Sequence, residues 1–234
     1  MCTRFVYNGD DLITGFNFEI DLDDYTHKII KEKDIFYIGI KMPDGLYHSY
    51  HGVNINGNVG TLLYVHGNEN AKYSNCENCV TIADLVEKFI KNEISFDDAV
   101  KIVDTQKIVY YKESTMQAIL SDKNGRVLII EPGIGYRVEE NKYSIVTNYS
   151  ILQPESTKDY INENDNRYEL GKTYLEKSNK NFSIKDGLNL LKNISVNEGW
   201  ATRVSFVYSK NKNTVYYVEN NKFQEILKHE FLNK

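Results

Sequence analysis

The chain is poor in the features that would announce a membrane, a linker or a nucleic-acid partner. Its 234 residues include three Pro, three Cys and one Trp. No run of about 18 apolar residues occurs, the length a membrane-spanning helix needs. The N-terminus has no basic stretch followed by an apolar one, so no secretory signal is read there. The expectation is a soluble, cytoplasmic protein without a membrane span. The 28 basic side chains are balanced by 33 acidic ones, a net charge of −5, and the Lys residues are scattered instead of forming a stripe. Nothing in that distribution supports a nucleic-acid partner. The few Pro and dispersed Gly mark no linker, no internal repeat is present, and this length suits one sizeable core. A single domain over residues 1–234 is expected.

A cytoplasmic chain keeps its thiols reduced, so the three cysteines are expected to be mostly free. Cys76 and Cys79 form a C-x-x-C, which could hold zinc with a second ligand pair or act as a redox couple. No second C-x-x-C follows, and the His residues stand singly at 27, 48, 51, 66 and 229. The plainer reading is a loop leading into a strand or helix, with no metal and no cofactor. Tyr is in excess at 18 residues, which suits amphipathic packing on strand faces and pocket walls.

Short alternating segments run along the first half: Thr3 to Tyr7, a turn at Asn8-Gly9-Asp10-Asp11, then Leu12 to Phe18, a hairpin pattern. Further strands are read at Ile35 to Lys41, Leu46 to Tyr50 and Asn58 to Val65, the last two separated by a Gly-containing stretch from His51 to Gly57. Thr81 with Asp84, and Ser95 with Asp98, are N-terminal signals for two consecutive helices whose apolar residues recur at helical spacing. A meander follows over Met116–Leu120, Val127–Glu131, Gly135–Glu139 and Tyr143–Thr147. Two more helices are expected at Asp165 to Lys177 and, capped by Ser183, to Asn193. The hairpin Arg203–Tyr208 with Thr214–Glu219 closes the pattern. Strands, two helices, strands, two helices, strands is an α+β order. It predicts two antiparallel sheets sandwiched between helical layers, not the alternation of a parallel α/β fold.

Cys2 carries the chemistry. Removal of Met1 would leave one residue bearing both a thiol nucleophile and a free α-amine, which is half of an amide-cleaving site. The unperturbed amine (about 7.7–8.0) and thiol (about 8.5) both sit near neutral pH, so modest environmental shifts ready them for proton exchange.

Met1-Cys2-Thr3-Arg4-Phe5 followed by Gly15-Phe16-Asn17-Phe18-Glu19 resembles the N-terminal-nucleophile cysteine amidases: choloylglycine hydrolases (bile salt hydrolase, penicillin V acylase), acid-ceramidase-like enzymes and acyltransferases related to penicillin biosynthesis. Val146-Thr147-Asn148-Tyr149-Ser150 resembles that family's Thr-Asn segment, whose Asn helps form the oxyanion hole. Asp165-Asn166-Arg167-Tyr168 resembles the helix start bearing an active-site Arg. Val65-His66-Gly67-Asn68-Glu69 resembles the strand end that completes the oxyanion hole. The resemblance spans Cys2 to about Val218 and implies a four-layer αββα sandwich. It implies a hydrolase of linear carbon–nitrogen (amide) bonds acting through a thioester acyl-enzyme. Its partner is a small-molecule N-acyl amide such as a bile-acid conjugate, penicillin V or an N-acyl amino acid. In that scheme Cys2 is nucleophile, Glu19 orients the amine, Asn148 and a backbone N–H near Tyr64 or Val65 hold the oxyanion, and Arg167 sustains the thiolate. Two positions depart from the family: Phe16 stands where it has Arg, and Glu19 where it has Asp. Arg167 alone, or with Arg4 or Arg203, would then replace the missing cation. An acyltransferase and a catalytically weakened small-ligand binder are the alternatives, and a homo-oligomer is left open.

Overall fold

A computed structural model describes residues 2–112, 114–160, 162 and 164–232. In chain order the elements are β1 (Cys2–Asn8), β2 (Leu12–Glu19), β3 (His27–Lys31), β4 (Ile35–Lys41), β5 (Tyr47–Asn54) and β6 (Val59–Tyr64). Next come β7 (Cys79–Thr81), α1 (Ile82–Ile90), α2 (Phe96–Thr105), β8 (Lys107–Val109), β9 (Met116–Ser121), β10 (Val127–Glu131), β11 (Gly135–Glu139) and β12 (Tyr143–Val146). The chain continues through α3 (Arg167–Lys177), α4 (Ile184–Asn193), β13 (Thr202–Ser209), β14 (Thr214–Glu219) and β15 (Leu227–Glu230). One antiparallel sheet has the order β12-β1-β2-β13-β14-β15, a second β11-β10-β9-β6-β5-β4-β3, and β7 pairs in parallel with β8.

Strand periodicity decides the layering, because successive side chains leave opposite faces of a sheet. In the first sheet Val6, Phe16, Phe206 and Tyr217 join the core shared with the second sheet. Residues alternating with this face, Phe5, Tyr7, Ile13 and Val207, pack with Leu188 and Leu191 of α4. α3 lies on β1 and β12, and α4 on β2 and β13. On the far side α1 covers β5, β6 and β9. Its seat depends on two glycines: a Cβ at Gly52 or Gly60 would meet Ile90 side-chain atoms at 3.1 Å or 2.8 Å respectively. The result is helices, sheet, sheet, helices, the α+β sandwich expected from element order. Both faces of each central strand are buried.

The helix starts are local and were legible. The Thr81 hydroxyl accepts from the Asp84 N–H, and Ser95 with Asp98 and Ser183 with Asp186 form reciprocal capping boxes. A cap of this kind is worth about 1 kcal/mol. Helix α3 begins at Arg167 instead of Asp165, because the Asp165 carboxylate accepts from the Arg167 N–H at 3.2 Å and occupies the lead-in turn. The stretch from His51 to Asn54, expected as a separator, lies inside β5.

The free-thiol expectation is corrected at two positions: Cys76 and Cys79 are disulfide-bonded. A turn in which the Cys79 N–H donates to the Cys76 carbonyl at 3.1 Å brings their Cα atoms to 5.2 Å, inside the range a disulfide bridges. Cys2 is the free cysteine, and it is buried. No helix among the described residues is long and apolar enough to cross a membrane.

Candidate active site

Cys2 opens β1, hydrogen-bonded in the sheet between β2 and β12. Antiparallel pairing brings the end of β12 alongside the start of β1, so Asn148, two residues past β12, reaches back to the chain's beginning. The Cys2 N–H donates to the Asn148 Oδ1 at 2.7 Å. The Asn148 amide nitrogen donates to the Tyr64 carbonyl at the end of β6, also at 2.7 Å. The two sheets are thus tied together beside Cys2 by one carboxamide. The Cys2 Sγ lies 3.9 Å from the Glu19 carbonyl oxygen. Burial pushes the thiol up to about 11, the Glu19 charge adds to this, and the Arg167 guanidinium opposes it.

Arg167, 5 % exposed, is the hub of the polar side. Its Nε donates to Asp165 Oδ1 at 2.8 Å and its Nη2 to Asp165 Oδ2 at 2.5 Å, a two-point clamp. Nη1 donates to Glu19 Oε2 at 2.5 Å and Nη2 to Asn148 Oδ1 at 3.1 Å. The Thr202 hydroxyl of β13 donates to the other Glu19 oxygen at 3.1 Å. Burial pushes the Glu19 carboxyl up to about 7 against the pull of Arg167. Burial also acts to raise Asp165, but its bonds to Arg167 prevail and hold it below the usual carboxylate range. Desolvation disfavours the Arg167 charge, yet its Asp165 hydrogen bonds and the Glu19 charge prevail and strengthen its hold on the proton. Glu19 and Asp165 thus share one buried guanidinium.

Cys2, Glu19, Asn148 and Arg167 therefore converge from four distant stretches of chain. Tyr64 joins them through its carbonyl, whereas the Val65 N–H donates to the Thr115 carbonyl at 3.2 Å within the sheet. Arg4 is engaged elsewhere, with Ser121 Oγ at 2.7 Å and the Phe5 carbonyl at 2.5 Å. Arg203 donates to the Ile20 carbonyl at 3.3 Å. Phe16 points into the inter-sheet core and stacks on His51, ring centres 5.1 Å apart. Sequence reasoning passed over Asp165 and Thr202 as site residues; the acid two residues before Arg167 was the available signal for the first. Met1 lies outside the described residues.

On the other side of Cys2 an apolar cavity of about 90 Å³ runs between the sheets. Phe18, Ile20, Ile40, Met42 and Leu62 line it, with His51 among them. Tyr25, Tyr64 and Trp200 also line it and are partly exposed; Trp200 stands 6.4 Å from Tyr25 and 6.5 Å from Tyr64, ring centre to ring centre. Among the described residues no group of three or more His, Cys, Asp or Glu is placed to hold a metal ion.

No family model matches the chain, and no curated protein matches its sequence. The fold does have solved counterparts. A variant of the conjugated bile acid hydrolase from Clostridium perfringens superposes with a TM-score of 0.74 at 12% identity, covering 98% of this chain and 92% of its own. Penicillin V acylase from Agrobacterium tumefaciens gives 0.68 at 16% identity, covering 93% and 83%. The N-acylethanolamine-hydrolyzing acid amidase ortholog from Caenorhabditis elegans gives 0.57 at 17%, covering 89% and 93%. The chain thus has the fold of the N-terminal-nucleophile hydrolases, with a cysteine at its second position.

Proposed function

We propose that this chain is a linear-amide hydrolase in which Cys2, exposed as the N-terminal residue by removal of Met1, attacks an N-acyl amide. The observation that carries the reading is the meeting of Cys2, Asn148, Arg167 and Glu19 at the edge of an apolar cavity. A buried, hydrogen-bonded polar cluster opening on an apolar pocket is the usual setting for a catalytic site.

The acyl chain enters the cavity and places its carbonyl carbon against Cys2 Sγ. The thiol proton passes to the α-amine as the sulfur–carbon bond forms, so the raised thiol pKa is bypassed by direct transfer at the moment of attack. The tetrahedral oxyanion takes a hydrogen bond from the Asn148 carboxamide, whose nitrogen carries two hydrogens and gives one to Tyr64. A donor in that role contributes roughly 10²–10³ in rate. The carbon–nitrogen bond then breaks, the leaving amine receives the proton from the Cys2 ammonium, and a thioester remains. Water attacks the thioester with the amine as base, releasing the carboxylic acid and regenerating the thiol. Glu19 and Asp165, both clamped on Arg167, supply the negative field that holds the terminal ammonium beside the sulfur.

Intact-mass analysis before and after iodoacetamide treatment, with amine release from N-acyl amino acids, bile-acid conjugates and penicillin V, tests this directly. Loss of Met1, selective alkylation at Cys2 and amine release abolished by Cys2→Ala are expected. Retention of Met1 with an unreactive Cys2 overturns the hydrolase and leaves a ligand-binding protein of the same fold.

A further inference from the structure

His51 is a polar side chain in an apolar cavity, and its ring is held in one orientation. It is 6 % exposed, stacked on Phe16 at 5.1 Å and in a tilted contact with Phe18 at 5.0 Å between ring centres. Its Nδ1 accepts the Leu62 backbone N–H at 3.3 Å. Burial drives its pKa down to about 3, so the ring is neutral at working pH. A neutral imidazole that accepts at Nδ1 carries its proton on Nε2, so Nε2 is a hydrogen-bond donor. That nitrogen has no hydrogen-bond partner among the described residues. His51 lines the same cavity as Cys2, so this nitrogen is not sealed off as the buried Gln117 Oε1 is. The cavity's 90 Å³ compares with roughly 10–15 Å³ for one water-sized site, so the cavity that Cys2 and His51 both line admits several atoms of a ligand.

Once a ligand has displaced solvent from the cavity, a donor that faces it without an acceptor is costly. A purely hydrocarbon acyl group would leave the His51 N–H facing methylenes. Resting on the amide-hydrolase reading, we infer that His51 is a specificity-determining residue whose Nε2–H receives an oxygen acceptor, a ketone, hydroxyl or ether, carried partway along the substrate's otherwise apolar acyl group. The flanking Phe16 and Phe18 rings fix the imidazole plane, so the acceptor is read at one depth from the scissile carbonyl. Phe16 thereby has a use that an Arg at the same position would not serve: it stacks on the recognition residue.

The test reads binding, so that it does not depend on turnover. Calorimetric Kd values are measured on the Cys2→Ala chain for N-acylglycines of equal length, one plain and the others with a ketone oxygen stepped along the chain. One position of the ketone is expected to tighten binding about 3- to 10-fold, the range of a single hydrogen bond. His51→Phe in the same background removes that preference, so that the plain and ketone-bearing chains bind alike, and His51→Gln, which retains an N–H, keeps part of it. Circular dichroism confirms that each variant is folded. A series with no favoured position, a preference that survives His51→Phe, or no binding by any member overturns the inference. The readings separate cleanly: selective binding without amide release from the Cys2-bearing chain overturns the hydrolase alone, and amide release without selectivity overturns the role of His51 alone.

Discussion

Two surfaces meet at Cys2, and they are built on opposite principles. On one side Arg167, Glu19, Asp165, Asn148 and Thr202 form a network in which each group is fixed by its neighbours' hydrogen bonds. On the other side Phe18, Ile20, Ile40, Met42 and Leu62 offer shape and little charge. The polar surface has almost no freedom to change one member without leaving a buried charge or donor stranded. The apolar surface tolerates substitution of similar volume. Chemistry is therefore expected to reside on the polar side and substrate choice on the apolar side, and the two sides should separate under mutation.

The sharpest test of the polar side is Arg167→Met. It leaves the Glu19 and Asp165 carboxylates buried with their shared cation gone. Breaking a buried pair in this way costs about 3–5 kcal/mol, and for a chain of this size the melting temperature should fall by about 10 °C. Arg167→Lys should rescue only part of this, since a single ammonium cannot reproduce the two-point contact with Asp165. A melting temperature within about 2 °C of the wild type in Arg167→Met would break the claim that the polar side is a coupled network. Next in size, Asn148→Ala should lower kcat by roughly 10²–10³, with KM changing much less. If KM rose instead and kcat held, Asn148 would be a binding group, and the division between the two sides would be wrong at that residue.

A pH titration probes the same network more gently. The folded-state Glu19 carboxyl sits near 7, above its ordinary value of 4.5. Between those values the folded chain holds a proton that the unfolded chain has lost, so stability falls as pH rises through this window and then levels off above about 7. The loss over the whole window is about 3 kcal/mol. Asp165 works in the opposite sense: its pKa is held low, so its contribution is lost only as pH falls through the acid range below its ordinary 3.8. Buried His51, lowered to about 3, works against Glu19 over this range, so the fall in stability between pH 5 and pH 8 in denaturant unfolding is read relative to a variant lacking the Glu19 carboxyl. The Glu19→Gln variant should show it much reduced, and an equal slope in both would remove Glu19 as the titrating group.

What could be read from the sequence follows the same division between local and distant causes. The caps at Thr81, Ser95 and Ser183 and the first hairpin depend on residues a few positions apart, and they were legible. The edge strands β3 and β15 were not, because His27-Lys28-Ile29-Ile30-Lys31 and Leu227-Lys228-His229-Glu230 lack clean alternation and owe their form to a neighbouring strand. Cys2, Asn148 and Arg167 were named through the resemblance of their flanking motifs. Nothing in the spacing of residues 2, 148 and 167 says that they touch. His51 is hidden in the sequence, since Gly52 beside it signals a turn, whereas in β5 that glycine makes room for the Phe36 carbonyl, Tyr37 and Ile90 of α1. Asp165 was read as the start of a helix when its role is to grip Arg167 from just outside it.

The smallest effect is expected at the cavity mouth, and it tests the apolar half of the comparison. Trp200 stands between Tyr25 and Tyr64 with about a third of its surface exposed, so it has little bearing on folding but borders the path to Cys2. An aromatic contact of this kind contributes about 0.5–1.5 kcal/mol beyond simple burial. Trp200→Ala should therefore raise KM for an apolar N-acyl substrate about 2- to 10-fold and leave kcat within about twofold, since the groups that touch the reacting atoms are untouched. Steady-state kinetics on acyl chains of increasing length would sharpen the point: the penalty should grow with chain length if the mouth closes over the chain, and stay constant if Trp200 only orders the loop before β13. A drop in kcat matching that of Asn148→Ala would mean that water exclusion at the mouth is part of the chemical step, and that the two sides of Cys2 act as one.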